Sequence, residues 1–210
     1  MRPRDAACLI LTDRSGDYPR VLVGKRSSRH VFMPDVYVFP GGRRDPRDHA
    51  LPFSADLRPR VIDKLRHSAS RVMSVAGARA LALAAVRELQ EETGLCFQND
   101  HSQQGPDLAS LRYVARAITP PGRVRRFDTR FFFCFTDEVG IEPANIKDSA
   151  ELQDLQWLDI RDSSGVNMAA ITRMVLEDVT NFMIGDQPLH FESRVRLYFE
   201  RRGTFIRGFL

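Results

Sequence analysis

Apolar positions fall in short dense blocks near the N-terminus and at helical spacing further along. Residues 6–12 (AACLILT) and 21–26 (VLVGKR) have the length and apolarity of strands, and Asp13 to Pro19 between them is turn-forming. Tyr37-Val38-Phe39 predicts a short extended piece that Pro40-Gly41-Gly42 ends. Residues 43–60, rich in Arg, Asp and Pro, have no clean period and read as a loop, whereas residues 61–72 predict a short helix. The strongest helical signal runs from about Ala76 to Thr93, rich in Ala, Leu, Glu and Gln. Leu81, Ala85 and Leu89, flanked by Ala82 and Val86, form its apolar stripe, and Gly94 stands where a helix-ending glycine belongs. A polar loop over 98–107 precedes strands at 113–119 and 126–136, joined by Pro120-Pro121-Gly122. Residues 155–160 predict a further strand, and 166–180 a helix with Met168, Ile171, Val175 and Val179 along one face. The tail 189–210 alternates apolar and basic residues and predicts no definite element.

Composition narrows the class without naming it. A chain of 210 residues that is 43% apolar and 28% charged suits one domain with its own core. Three cysteines without a CxxC spacing suggest neither a disulfide framework nor a zinc site. No apolar run approaches the roughly 18–20 residues of a membrane span, and Arg2 and Arg4 precede too short an apolar block for a secretory signal. The expectation is a soluble, cytoplasmic protein. Net charge changes the picture only through its distribution. Residues 112–130 hold six arginines and one aspartate, and residues 131–192 hold twelve acids against three bases. A nucleic-acid binder with a continuous basic track would not be built that way.

The informative stretch is Arg87-Glu88-Leu89-Gln90-Glu91-Glu92-Thr93-Gly94-Leu95. Glu88, Glu91 and Glu92 share one helix face, where they repel one another, and they sit at the end the helix dipole makes unfavourable for anions. By themselves they describe a solvated acidic helix end or a face that holds a hard divalent cation. The surrounding residues decide between these. They resemble the Nudix hydrolases, whose pattern is Gly-x5-Glu-x7-Arg-Glu-U-x-Glu-Glu-x-Gly-U with U a bulky aliphatic residue. Arg87, Glu88, Leu89, Glu91, Glu92, Gly94 and Leu95 match its second half at every specified position, and Phe39-Pro40-Gly41-Gly42 resembles the strand end that precedes it. The first half departs from the pattern. Gly42 lies 45 positions before Arg87, about 31 more than the pattern allows, and the position of its first glutamate holds Arg79. Asp45 is a candidate substitute.

The resemblance implies a Nudix fold, an α+β arrangement in which a mixed β-sheet lies between helices in an α/β/α sandwich. It implies a single domain over residues 1–210 with an insertion at about 43–75. It also implies attack of water on the pyrophosphate of a nucleoside diphosphate linked to another moiety. Glu88, Glu91 and Glu92 would hold Mg²⁺ or Mn²⁺, Arg87 would orient one of these glutamates, and Glu151 is a candidate extra ligand or general base. Gly41, Gly42, Arg26, Arg123, Arg126 and Arg130 are candidate substrate contacts, the arginines because guanidinium forks match phosphate oxygens; Arg125 belongs to the same run.

Lys25-Arg26-Ser27-Ser28-Arg29, Met33-Pro34 and the Thr119–Phe132 stretch resemble a subgroup that includes coenzyme-A diphosphatase relatives. The stricter coenzyme-A signature is not met, since Val31 and Asp35 stand where it asks for arginine and glycine. ADP-ribose and NADH stay open as substrates. A Nudix-fold binder of nucleotide or RNA and a decapping-type RNA hydrolase are the other readings. The family analogy leaves a homodimer open. The expected partner is a small nucleoside diphosphate derivative, with no membrane or nucleic acid.

Overall fold

A computed structural model describes residues 2–28, 33–67, 72–98, 104–184 and 190–210. Strand β1 (Arg4–Asp13) organises a mixed sheet. Residues Arg4 to Thr12 pair in parallel with Phe127 to Phe135 of β6 (Phe127–Phe135). The turn after Asp13 folds β2 (Arg20–Arg26) back against the end of β1. Strands β3 (Tyr37–Val38) and β7 (Leu152–Asp159) both pair with β2. The short β4 (Gly41–Arg43) runs antiparallel along the first half of β1, setting Cys8 opposite Gly41 and Ala7 opposite Gly42. Beyond β6 come β5 (Arg112–Ile118), antiparallel to it, then β8 (Arg196–Arg201), parallel to β5, and β9 (Thr204–Phe209) at the edge.

Helices cover both faces. Because side chains alternate along a strand, β1 and β6 feed two cores at once. Leu9, Leu11, Phe132 and Cys134 pack in one core with α1 (Pro59–His67) and α2 (Val75–Thr93). Ile10, Phe131 and Phe133 pack in the other with Val175, Leu176 and Val179 of α3 (Ala170–Ile184). The expected fold class, a mixed sheet between helices, is the one observed. Alanines 78, 80, 82, 84 and 85 of α2 are all buried, since the helix is enclosed by the sheet on one side and by α1 on the other.

Three expectations change. Residues 166–169 are not helical, because they run beside Tyr37 instead: the Asn167 carbonyl accepts from the Tyr37 N–H and the Ala169 N–H donates to the Tyr37 carbonyl. The stretch 43–60, expected as a loop, contains a 3-10 turn at Pro46–Ala50 and the start of α1 at Pro59; residues 68–71 of the expected 61–72 helix lie outside the described residues. The tail is a hairpin turned by Arg202 and Gly203, both at positive φ (53° and 78°), the geometry of a two-residue turn that follows strand twist. It is fastened to α3 by buried Asp178, which pairs with Arg196 and Arg207 and accepts from the Tyr198 hydroxyl.

The β1–β6 seam carries a charged network. Arg130 is fully buried, with Nη1 2.7 Å from Asp5 Oδ1 and 3.3 Å from Asp128 Oδ2. Arg116 grips both oxygens of Asp128 at 2.7 Å, and Arg44 reaches Asp5 at 3.1 Å. Removing the shared arginine takes the buried cation from between two carboxylates and leaves Asp128 to Arg116 alone and Asp5 to Arg44 alone. Arg130→Met is therefore expected to lower the unfolding free energy by about 3 kcal/mol or more in urea denaturation; an unchanged midpoint would mean that the network contributes nothing.

Candidate active site

Helix α2 begins at Ser74, whose hydroxyl accepts from the Gly77 N–H at 3.0 Å, and ends at Gly94 in the left-handed conformation. Its last two turns point Glu88 and Glu92 at β4. There the backbone of Gly41 and Gly42 lies flush with the helix. The Gly41 N–H donates to Glu92 Oε2 at 2.7 Å, and a Cβ on Gly42 would overlap the Glu88 carboxyl group. A Cβ on Gly41 would strike Ala7 and Cys8 of β1. The two glycines are thus required by close approach.

Arg87 occupies the centre of the cluster. Its Nη1 donates to Glu88 Oε1 at 2.9 Å and Glu91 Oε2 at 2.8 Å, while Nε and Nη2 face Asp48 at 2.7 and 3.2 Å. Asp48 is fully buried and did not emerge from the sequence. Two signals could have found it: it stands six residues after Gly42, the spacing of the pattern's first acid counted from the glycine, and Asp45-Pro46-Arg47-Asp48 is a turn start in which Asp45 accepts from Arg47 N–H and Asp48 accepts from Asp45 N–H. Arg79, at the pattern's first glutamate position, lies away from this cluster. It forms a two-pronged pair with Asp56 and stacks on Phe53.

A cleft of about 620 Å³ opens over the glutamates. Gly41, Gly42, Arg26, Arg87, Glu88, Glu91, Glu92 and Glu151 all line it, as do Asp45 and Arg125, and its apolar wall includes Val38, Phe39, Phe127, Phe131 and Ile171. Glu151 reaches the site from the turn before β7, where its N–H and that of Leu152 donate to Ser149 Oγ and its carbonyl accepts from Ser27 N–H. The other three arginine expectations do not fall on the cleft. Arg123 is exposed and not among the lining residues, and Arg126 donates through Nε to the Thr119 carbonyl at 3.1 Å. Arg130 is withdrawn into the β1–β6 network, a correction with a plain cause: strand alternation turns it inward, where Asp5 and Asp128 neutralise it. Arg29 and Val31, used in the subgroup comparison, lie outside the described residues.

Crowding sets the electrostatics. Burial first, then the charges of Glu88 and Glu151, push the Glu92 carboxyl up to about 8 against the hydrogen bond from Gly41. Burial also raises Glu88, opposed by Arg87 and reinforced by Glu91 and Glu151. Burial and the same two glutamates, Glu92 and Glu88, push the Cys8 thiol up, so it stays a neutral part of the wall. Among the described residues no three His, Cys, Asp or Glu side chains are gathered tightly enough to enclose a cation, because Glu88 and Glu91 each give an oxygen to Arg87. Their chemistry nevertheless suits one: all donors are carboxylate oxygens, and mutual repulsion is relieved by a hard divalent ion.

The sign of the pH effect follows. Between the ordinary carboxylate value of 4.5 and about 8, Glu92 is protonated in the fold and ionised in the unfolded chain, so stability falls as pH rises through that window. Without added metal, the protein is expected to melt several degrees lower at about pH 8.5 than at pH 6. Glu92→Gln should flatten that slope, and Mn²⁺ should raise the melting temperature more at the higher pH. A melting temperature that rises over this range would contradict the burial of an ionisable Glu92.

Known proteins share the fold and the sequence of helix α2. The model of the NUDIX domain matches residues 74–177. "Putative nudix hydrolase 7" of Caenorhabditis elegans is 28% identical, over 74% of this chain and 51% of its own length. The chain thus spans about half the length of that curated relative. A NUDIX hydrolase from Alicyclobacillus acidocaldarius shares the fold with a TM-score of 0.64 at 24% identity, covering 90% of this chain and 99% of that one. The NUDIX domain of Shewanella oneidensis NrtR, solved with ADP ribose, superposes at 0.54 with 12% identity, covering 87% and 90%. No helix among the described residues is long and apolar enough to cross a membrane. The matched stretch contains all of Arg87 to Leu95, and the chain belongs to the Nudix hydrolase family.

Proposed function

We propose that this protein hydrolyses the pyrophosphate bond of a nucleoside diphosphate joined to a second moiety, using Mg²⁺ or Mn²⁺ held by Glu88, Glu91 and Glu92. The observation that carries this reading is the meeting of these glutamates with Glu151, Arg26 and Arg125 in one cleft. Acidic groups for a cation and basic groups for phosphate are needed together for such a cleavage. The bound cation would neutralise phosphate charge and polarise the scissile linkage. Arg125 at the rim and Arg26 deeper in the cleft hold phosphate oxygens. Gly41 and Gly42 let the phosphates approach the backbone closely. Glu151 takes a proton from the attacking water as its oxygen bonds to phosphorus, and the bridging oxygen departs with the other phosphate. Arg87 touches carboxylates rather than substrate.

Coenzyme A or its acyl esters lead the candidates for substrate. Support comes from the Lys25–Ser28 and Met33-Pro34 resemblance and from the apolar wall of Val38, Phe39, Phe127 and Ile171, which suits a partner moiety with little charge. ADP-ribose and NADH are the comparison substrates. Residues 1–210 act as one domain, with the stretch at about 43–75 inserted into it.

Hydrolysis of coenzyme A, acyl-coenzyme A, ADP-ribose, NADH and nucleoside triphosphates with Mg²⁺ and Mn²⁺ tests the proposal. One of the linked diphosphates should yield two monophosphate products, and Glu92→Gln should lower kcat by about 100-fold or more. Arg125→Ala should raise KM by about tenfold while kcat stays within about twofold. Absence of cleavage, or a fully active Glu92→Gln, would overturn the assignment.

A further inference from the structure

We infer that the start of α3, with the Thr172 hydroxyl beside it, is a second oxyanion subsite of the cleft. It takes a phosphate monoester or carboxylate that the substrate carries away from its scissile diphosphate. The inference rests on the proposed hydrolase reading only for the identity of that diphosphate.

The first turn of α3 has donors and no acceptor to meet them. The Ala169 carbonyl accepts the first helical bond, from the Arg173 N–H at 3.0 Å, so Ala169 stands at the capping position. Its methyl group cannot cap, and its own N–H is taken by the Tyr37 carbonyl at 3.1 Å. The N–H groups of Ala170, Ile171 and Thr172 make no hydrogen bond among the described residues. Thr172 adds a fourth donor. It is 3% exposed, and among the described residues its hydroxyl has no partner. A polar group so enclosed is ordinarily bonded. This one opens on the cleft, which Thr172 lines together with Ala169 and Ile171.

These donors are held in place before a ligand arrives. The Tyr37 N–H donates to the Asn167 carbonyl at 2.9 Å, and Asn167 Nδ2 donates to the Asp35 carbonyl at 3.3 Å. Strand β3 and the turn before it thus fix the residues that lead into the helix. Arg173 donates to the Ser163 and Val166 carbonyls at 3.1 and 2.8 Å, which ties down the preceding turn. Helices α2 and α3 pack on opposite faces of the sheet, so the cleft brings together carboxylates from one and uncharged donors from the other. The first turn of α3 has no acidic residue. An anion there meets the positive end of a 15-residue helix, close to the apolar rings of Phe39 and Phe131. The several oxygens of a phosphate or carboxylate can accept from more than one of the four donors at once.

Pairs of ligands that differ by one oxyanion test the subsite: coenzyme A with 3′-dephospho-coenzyme A, NADPH with NADH, and glutaryl- with pentanoyl-coenzyme A. Calorimetry in EDTA reads affinity without turnover. The first two pairs report a phosphate, the third a carboxylate. In at least one pair the member with the extra oxyanion should bind about thirtyfold more tightly. Thr172→Val keeps the shape and removes the hydroxyl, and it should cut that preference by about tenfold. Thr172→Ser should keep the preference within about twofold of the wild type. Ala169→Asp brings its own cap and repels an anion, so it should abolish the preference without lowering the melting temperature. The preference is a ratio measured on one preparation, so partial unfolding of a variant does not mimic its loss. Equal affinities within every pair, or a preference untouched by both Thr172→Val and Ala169→Asp, would overturn the inference. So would a Thr172→Val loss shared equally by both members of each pair, which would put the hydroxyl on the diphosphate itself. A protein that shows the preference but hydrolyses nothing with Mg²⁺ or Mn²⁺ refutes the hydrolase reading and leaves the subsite standing. One that hydrolyses these compounds without the preference refutes the subsite alone.

Discussion

Two glutamates pressed against a backbone without side chains are the constraint on which the site depends. Glu88 occupies the space that a side chain at 42 would fill, and β1 occupies the space of one at 41, whose N–H meets Glu92. That contact requires β4 to lie along β1 and requires α2 to stop at Gly94. It requires the interior of α2 to be lined with alanine so that the helix seats deeply. Burial then makes the carboxylates uncomfortable as anions, and Arg87 and the Gly41 N–H hold them in place without neutralising them all. A divalent cation completes this balance of charge in the proposed mechanism.

Arginine serves several purposes here, and the surroundings of each one decide which. Arg116 and Arg130 are drawn into the sheet by Asp128 and Asp5, Arg112 is held in both prongs by Glu138, and Arg196 and Arg207 fasten the C-terminal hairpin to Asp178. Arg79 and Arg87 fasten the segment after β4 to the helix. The basic run at 112–130 is thus largely structural, with Arg125 its one member on the cleft. Its charge is answered by the acidic stretch that follows, Glu138 being one example.

Local chemistry made most of the fold readable. Alternation and apolar runs marked β1, β2, β5 and β6, alanine and leucine spacing marked α2, and Gly94 marked its end. The glutamate cluster was legible because like charges at helical spacing have little structural purpose. What escaped depends on contacts distant in sequence. Whether Arg130 faces a cleft or a buried aspartate is settled by its pairing with Asp5, 125 residues away. Asp48 keeps the pattern's spacing from Gly42, but the residues inserted before the helix set it 39 positions from Arg87, its partner. The hairpin of β8 and β9 is fastened to α3 by Asp178, and its apolar–basic alternation was legible without showing what it packs against.

The family pattern and this chain differ at a position whose consequence is visible in the structure. Arg79 stands away from the cluster on Asp56, while Asp48 pairs with Arg87 beside the glutamates and Asp45 lies on the cleft wall. The account therefore predicts that cation binding survives the substitution. Its most direct test is the anomalous scattering of Mn²⁺ in a crystal of the protein. A peak within about 2.2 Å of oxygens from Glu88 and Glu92, in the cleft faced by Glu151, is the predicted result. Density only at other sites, or none at saturating Mn²⁺, would contradict it.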